Sequence, residues 1–239
     1  MIETNQKYTN IRPGGKNFRV GLFGGTFNPI HLAHINISED VKAGFNLDKI
    51  LVIPSAIPPH KKAPEIISAK DRLEMVKLCF NDMCGFEVSD IELKRKGPSY
   101  TIDTVKKLVT DNPDQTDLFL MIGSDAFFEI HTWHQFGSLL NLIGLIVMTR
   151  PGDDMENNES KEKNAGRYLS KRIDDGYQWS PIDKHFAHSF KKTISFFDVT
   201  QLSISSTKIR KYIKENNCTS SGFLHNEVTN YITKKGLYK

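Results

Sequence analysis

The hydrophobic positions of this chain follow two alternating patterns. Short apolar runs rich in Val, Ile, Leu and Phe are typical of buried strands, and the segments between them have the spacing of amphipathic helices. The predicted strands are Arg19–Phe23, Lys49–Pro54, Phe86–Leu93, Leu118–Ile122, Gly144–Thr149 and Thr193–Asp198. Because strands and helices alternate, the pattern predicts a doubly wound α/β fold, a mostly parallel sheet with helices on both faces.

The predicted helices fill the gaps between these strands. One begins at His31, a second follows Ser68, which can cap it together with Asp71, and a third starts near Ile102. Rossmann-like sheets of this kind bind ligands at the carboxyl ends of their strands, where the strand order reverses. Functional residues are therefore to be sought in the segments that directly follow strands.

The outer parts of the chain differ from this regular pattern. The first 18 residues are polar and lack the apolar core of a signal peptide, so we expect residues 1–18 to be a flexible tail. Residues 19–239 are predicted to form a single domain with a mobile insertion around 151–192, which opens on the polar stretch 151–166. The longest apolar stretch falls short of the roughly 20 residues of a membrane span, so we expect a cytoplasmic protein without a membrane partner.

Composition and charge narrow the functional classes only slightly. The 239 residues are 38% hydrophobic and 25% charged, which is typical of a globular chain. A formal charge of +4 suits a small polyanionic substrate better than nucleic acid, although charge alone does not separate the two. Cys79, Cys84 and Cys218 form no CxxC pair, which disfavours both a disulfide framework and a zinc site.

The segment after the first predicted strand carries the most informative chemistry. It reads GGTFNPIHLAH and spans residues 24–34. Gly24 and Gly25 let backbone N–H groups approach an anion closely, and a helix N-terminus favours phosphate. His31 and His34 share one face of the first helical turn and can donate hydrogen bonds in phosphoryl transfer. The alternatives are two surface histidines or a zinc site, and the absence of an HExxH glutamate disfavours zinc.

Two later segments suit the same ligand. ISSTKIR, residues 204–210, offers Ser205 or Ser206 as a helix N-cap, and Arg210 can clamp a phosphate. Capping alone is the alternative for that segment. After the fourth predicted strand, Gly123 permits close approach of a ligand, and Asp125 can either accept from ribose hydroxyls or cap a helix.

Together these segments resemble the nucleotidylyltransferase superfamily. GGTFNPIHLAH is similar to its GGTFDPIHxGH signature, ISSTKIR to its ISSTxIR signature, and the Gly-Ser-Asp at residues 123–125 to its GSD element. Asn28 and Ala33 replace the usual Asp and Gly. The resemblance implies catalytic roles for His31, His34 and Arg210. It implies ATP contacts at Gly24, Gly25, Thr26, Phe27, His31, His34, Gly123, Asp125, Ser205, Ser206, Thr207 and Arg210.

Three further segments resemble one branch of the superfamily, the nicotinate-nucleotide adenylyltransferases. They are PPHKK at residues 58–62, PSYTIDT at residues 98–104 and TWH at residues 132–134. The resemblance implies that the mononucleotide contacts His60, Lys61, Tyr100, Thr101 and Trp133. A lone Trp is more often a core residue, and a Lys pair is more often a solvated surface.

The function implied by the resemblance is adenylyl transfer from ATP to nicotinate mononucleotide, which gives deamido-NAD and pyrophosphate in NAD biosynthesis. Mg²⁺ would enter bound to ATP, because no protein metal site is evident in the sequence. Another small-molecule adenylyl- or cytidylyltransferase is one alternative, and a non-catalytic nucleotide- or RNA-binding protein is another. The oligomeric state and the strictness of acid over amide stay open.

Overall fold

One eight-stranded sheet organises the part of the chain that the computed structural model describes, which is residues 17–58, 66–112, 115–149, 160–200, 202, 204–216 and 222–239. The strands are β1 Phe18–Gly25, β2 Lys49–Pro54, β3 Phe86–Val88, β4 Thr116–Gly123, β5 Gly144–Thr149, β6 Gln178–Ser180, β7 His185–Ala187 and β8 Ile194–Asp198.

The strand order is β3-β2-β1-β4-β5-β8-β7-β6. The first six strands of this order are parallel, namely β3, β2, β1, β4, β5 and β8. The hairpin β6–β7 adds two antiparallel strands at the edge beyond β8. The chain first builds the sheet outward from β1 through β2 to β3, and then crosses back to β4 on the other side of β1. The order therefore reverses between β1 and β4, which is where such sheets bind ligands.

Helices cover both faces of this sheet. They are α1 Leu32–Gly44, α2 Ala69–Phe80, α3 Thr101–Asp111, α4 Ser124–Phe128, α5 Phe136–Leu142, α6 Lys161–Tyr168, α7 Ser206–Asn216 and α8 Asn226–Lys235. Alternate residues of β4 enter different cores. Leu120 packs with residues of α3 and α5, whereas Met121 packs with residues of α1, α2, α7 and α8. The predicted doubly wound α/β fold is confirmed.

Most predicted elements agree with the structure, and one strand does not. The bounds of β2 and β5 are as predicted, and Ser68 caps α2 by accepting from the Asp71 N–H at 3.0 Å. The predicted strand Phe86–Leu93 is wrong beyond Val88. Local hydrogen bonds, such as the one from the Lys94 N–H to the Asp90 carbonyl, replace the sheet ladder there and turn the chain away.

The region after β5 adds structure that the sequence did not assign. Ser160 caps α6, a π-helical turn covers Leu169–Ile173, and the hairpin β6–β7 then extends the sheet beyond β8. Residues 151–159 of the predicted insertion and residues 1–16 of the predicted tail lie outside the described residues. Strand β1 begins at Phe18, inside the predicted tail. No helix in the described part of the chain has both the length and the apolar character to cross a membrane.

Candidate active site

The turn after β1 leaves open space in front of its backbone. A Cβ placed on Gly24 would meet no atom within 4 Å, whereas a Cβ on Gly25 would lie 2.8 Å from the Phe27 ring. Gly24 therefore exposes backbone that a ligand can approach, and Gly25 makes room for a buried aromatic ring. Phe27 itself has a left-handed backbone, with φ of 47°, and its ring meets the His34 ring edge-on at 5.2 Å.

The histidine pair lies at the start of α1. His31 is the N-cap residue, and its ring stacks on the His34 ring with centroids 3.7 Å apart. The His31 backbone N–H donates to Nδ1 of His34 at 3.2 Å. Because Nδ1 accepts that bond, neutral His34 carries its proton on Nε2. The pair thus has the shared face that the sequence predicted.

Burial sets the charge of His31. The residue is 5% exposed, and its Nδ1 has no hydrogen-bond partner among the described residues. This desolvation lowers the pKa of His31 from 6.5 to about 4. At pH 7 the ring is uncharged in the absence of ligand, so it can donate one hydrogen bond but supplies no positive charge.

The start of α7 contacts the turn after β1. Ser205 is the capping serine, since its Oγ accepts from the Lys208 N–H at 3.2 Å. The Ser206 hydroxyl instead donates to the Pro29 carbonyl at 2.8 Å, across 177 residues of sequence. Arg210 Nη1 donates to the Asn28 carbonyl at 3.0 Å. These contacts join the two predicted motifs, and Thr207 lies exposed in the first turn of α7.

Gly123 and Asp125 lie at the same edge of the sheet. Strand β4 pairs with β1, and Phe23 lies beside Met121. Gly123 therefore ends its strand close to the turn after β1, residues 24–28 (the glycine turn). Gly123 is the N-cap of α4, and Asp125 is an exposed residue in the first turn of that helix. A Cβ on Gly123 would lie 2.5 Å from Asp125 Oδ1, so the carboxylate folds back toward the strand end. Because Gly123 holds the N-cap position, Asp125 is not the N-cap of α4.

A second group of residues lies at the start of α3. Tyr100 is the N-cap and Thr101 the first residue of this helix, and the Tyr100 ring lies 4.5 Å from the His134 ring. Trp133, next to His134, is half-buried against the core. The structure thus brings three of the predicted mononucleotide residues together, Tyr100, Thr101 and Trp133. The other two, His60 and Lys61, lie outside the described residues.

Ser99 ties this group to the segment after β2. Its buried Oγ accepts from the N–H groups of Ala56 and Ile57, at 3.0 and 3.2 Å. The segment that leads into residues 59–65 therefore starts beside Tyr100. Ser99 was not predicted from the sequence, because a serine before a helix carries no signal of a partner more than 40 residues away.

Two more residues that sequence reasoning missed support the glycine turn from behind. The Arg72 guanidinium donates to the Thr26 carbonyl, and the Tyr238 hydroxyl donates to Asn28 Oδ1. One signal was available for Arg72, since it shares the buried face of α2 with Val76, Cys79 and Phe80. Tyr238 lies one residue from the end of the sequence and carries no comparable pattern.

The donor set bears on how a metal could enter. Within the described ranges, no three His, Cys, Asp or Glu side chains are grouped so that they could hold a metal ion.

Comparison with known proteins identifies the class. A model of the cytidylyltransferase-like family matches residues 22–212. The Plasmodium falciparum nicotinic acid mononucleotide adenylyltransferase, solved in complex with NaAD, shares the fold with a TM-score of 0.67 and 20% identity, over 92% of this chain and 97% of that one. The chain belongs to the cytidylyltransferase-like family and is a nucleotidyltransferase.

Curated relatives define the branch. A probable nicotinate-nucleotide adenylyltransferase of Desulfatibacillum aliphaticivorans is 38% identical over 222 residues, which is 92% of this chain and 99% of the relative. One from Shewanella frigidimarina is 37% identical over 221 residues, which is 92% of this chain and 100% of the relative. The resemblance of the motifs to nicotinate-nucleotide adenylyltransferases is thereby confirmed.

Proposed function

We propose that this enzyme transfers the adenylyl group of ATP to nicotinate mononucleotide, giving deamido-NAD and pyrophosphate. The observation that carries the proposal is the contact between the two motifs. Ser206 and Arg210 reach the Pro29 and Asn28 carbonyls from the start of α7, at the carboxyl edge of the sheet. The histidine pair and the start of α7 therefore lie against the same turn, and a helix start of this kind suits a triphosphate.

The reaction needs positioning more than acid–base chemistry. A 5′-phosphate oxygen of nicotinate mononucleotide forms a bond to the α-phosphorus of ATP, and the bond from that phosphorus to the β-phosphate oxygen breaks. The nucleophile is already an anion at pH 7, so no general base is required. The leaving group departs as pyrophosphate. Catalysis is then alignment together with stabilisation of charge on the phosphate oxygens.

Each residue of the phosphate site has a role in this scheme. His31 and His34 donate hydrogen bonds to phosphate oxygens, His31 as a neutral donor because its pKa is about 4. Thr207 and the first N–H groups of α7 hold the β- and γ-phosphates. In this scheme the Arg210 guanidinium, which donates one N–H to the Asn28 carbonyl, also clamps a phosphate. Mg²⁺ bound to ATP supplies further charge neutralisation.

In this proposal the residues at the start of α3 bind nicotinate mononucleotide, which is the acceptor of the adenylyl group. Trp133 stacks on the pyridine ring, and the N–H groups near Thr101 receive its carboxylate, since the N-terminus of α3 favours an anion. In this proposal His60 and Lys61, which follow β2 in the sequence, also contribute to binding of the acceptor. Gly123 and Asp125 lie beside the ribose of ATP.

A substrate panel tests the proposal. Purified protein is mixed with MgATP and one acceptor, and pyrophosphate is followed continuously. We expect release that depends on nicotinate mononucleotide, with deamido-NAD as the second product. Nicotinamide mononucleotide, with a neutral amide, measures the preference for the carboxylate. Phosphopantetheine with ATP, or glycerol phosphate with CTP, tests other branches of the superfamily, and faster turnover of either one would contradict the proposal.

A further inference from the structure

A buried arginine donates a hydrogen bond to the backbone of the glycine turn. Arg72 of α2 is 1% exposed, and it donates to the Thr26 carbonyl at 2.7 Å and to the Ala56 carbonyl at 3.0 Å. Its Nε donates to the Ile67 carbonyl at 3.3 Å. One guanidinium thus links the turn after β1, the segment after β2 and the start of α2. A guanidinium suits this role because its donors are spread over three nitrogens of one planar group.

The end of the chain contacts the same turn. The Tyr238 hydroxyl donates to Asn28 Oδ1 at 3.0 Å, and the Ile67 N–H donates to the same oxygen at 3.4 Å. Burial raises the pKa of Tyr238 above its usual range, so the hydroxyl keeps its proton and stays a donor. Asn28 is 5% exposed, and its backbone carbonyl accepts from Arg210. The penultimate residue is therefore connected to Arg210 through one buried asparagine.

The turn needs such support because its backbone is strained. Phe27 has a left-handed φ of 47°, which is strained for a non-glycine residue and persists only when surrounding contacts over-determine it. The histidine pair begins at His31, two residues after Pro29. A relaxation of the turn would therefore move both the imidazoles and the carbonyl that orients Arg210.

We propose that Arg72 and Tyr238 are positioning residues for adenylyl transfer, which hold the Thr26–Asn28 turn, and through it His31, His34 and Arg210, in the reactive arrangement. Neither residue needs to touch substrate for this role. The kinetic part of this inference rests on the proposed function, whereas the effect on the turn itself does not. It follows that the C-terminal residues of this chain form part of the active site's framework.

The chain offers a matched control for Tyr238. Tyr231 also belongs to the C-terminal segment, but its hydroxyl donates to Asp71 Oδ1 at 2.8 Å, on α2 and not on the glycine turn. Tyr238→Phe and Tyr231→Phe therefore remove the same atom and one hydrogen bond each. A merely structural role would make the two variants alike in their effect on turnover.

The experiment compares both variants with the wild type in two measurements. Tyr238→Phe should lower kcat about tenfold, the upper range for one buried hydrogen bond, while KM for nicotinate mononucleotide stays within about twofold. Tyr231→Phe should keep the wild-type kcat. Hydrogen exchange at the backbone amides of residues 26–32 should be faster in Tyr238→Phe than in the wild type and unchanged in Tyr231→Phe. Arg72→Lys, which keeps the charge but loses the fork, should repeat both effects more strongly.

Equal kcat and equal exchange in the two phenylalanine variants would overturn the inference. Slower turnover without faster exchange at the turn would also overturn it, since the effect would then not pass through the turn. If the wild type itself formed no deamido-NAD, the proposed function would fail, and the exchange measurement would still decide whether Tyr238 holds the turn.

Discussion

The two sides of the candidate active site are built differently. The phosphate side joins segments that lie up to 210 residues apart. Its turn is buried at Phe27 and Asn28 and is held by hydrogen bonds from α2, α7 and the segment after α8. The acceptor side consists of half-buried or exposed rings at the start of α3, where the exposed side chains of Lys106 and Gln135 share a hydrogen bond. Transfer chemistry needs donors that are fixed before the substrate arrives, whereas acceptor recognition can use surface segments.

The largest predicted effect belongs to the phosphate side. His34→Ala should lower kcat about 10²–10³-fold, the scale for the loss of one donor to a transition-state oxyanion. The measurement is steady-state pyrophosphate release with saturating substrates. His185→Ala, in β7 near the far edge of the sheet, is the matched control and should turn over normally. Near-normal turnover of His34→Ala would remove the distinction between the two sides.

The burial of His31 predicts a pH effect on stability. Its pKa is about 4 in the folded chain and 6.5 when exposed, so below pH 6.5 the unfolded chain binds a proton that the folded chain resists. This contribution is complete above pH 6.5 and is lost as pH falls toward 4. It amounts to about 3 kcal/mol, from a shift of about 2.5 pKa units.

Urea unfolding at pH 7 and pH 4 of the wild type and of His31→Gln isolates this contribution. The free energy of unfolding should fall about 3 kcal/mol more in the wild type, because the variant lacks the titrating group. Parallel losses in the two proteins would show that the imidazole is less buried than the structure places it.

On the acceptor side, the predicted effect is smaller and appears in a different constant. Trp133→Ala should raise KM for nicotinate mononucleotide about tenfold, within the ~1–3 kcal/mol of ring stacking, and leave KM for ATP unchanged. Trp179 of β6, whose ring packs on Phe186, supplies the control. Trp179→Ala should cost stability without changing either KM. A rise of both constants in Trp133→Ala would mean that the two sides are not separate.

The smallest predicted effect separates the two glycines of the turn. Gly24→Ala meets no neighbouring atom, so the free energy of unfolding should change by less than about 0.5 kcal/mol. Its methyl group would occupy the space in front of the backbone and raise KM for ATP about fivefold. Gly25→Ala collides with the Phe27 ring and should instead cost about 1–3 kcal/mol of stability. A normal KM for ATP in Gly24→Ala would place the triphosphate elsewhere.

The sequence predicted the parts of the site that local pattern determines. Gly24 to His34 and Ser205 to Arg210 each combine a turn with a helix start, and a doubly wound sheet brings such segments to one edge. The strand beyond Val88 was predicted wrongly because Ile91 and Leu93 are spaced like strand residues, although they are out of phase with Phe86 and Val88 and follow the end of the strand. Periodicity reports which side chains can be buried, not which backbone groups pair.

The supporting residues could not be assigned a role from the sequence. Arg72 donates to carbonyls 16 and 46 residues away, and Tyr238 to an asparagine 210 residues away. Contacts over such sequence separations form only in the folded chain. The sequence around an arginine or a tyrosine does not show which residue its side chain will contact. The uncharged state of His31 could not be predicted from the sequence either, because its low pKa results from burial in the folded chain.

The most direct test of the account is a crystal structure with a non-hydrolysable ATP analogue. We expect one triphosphate whose oxygens lie within hydrogen-bond distance of both the His34 imidazole and the first turn of α7 at Thr207. A triphosphate that contacts only one of these two places, or that binds away from the carboxyl ends of β1 and β4, would contradict it.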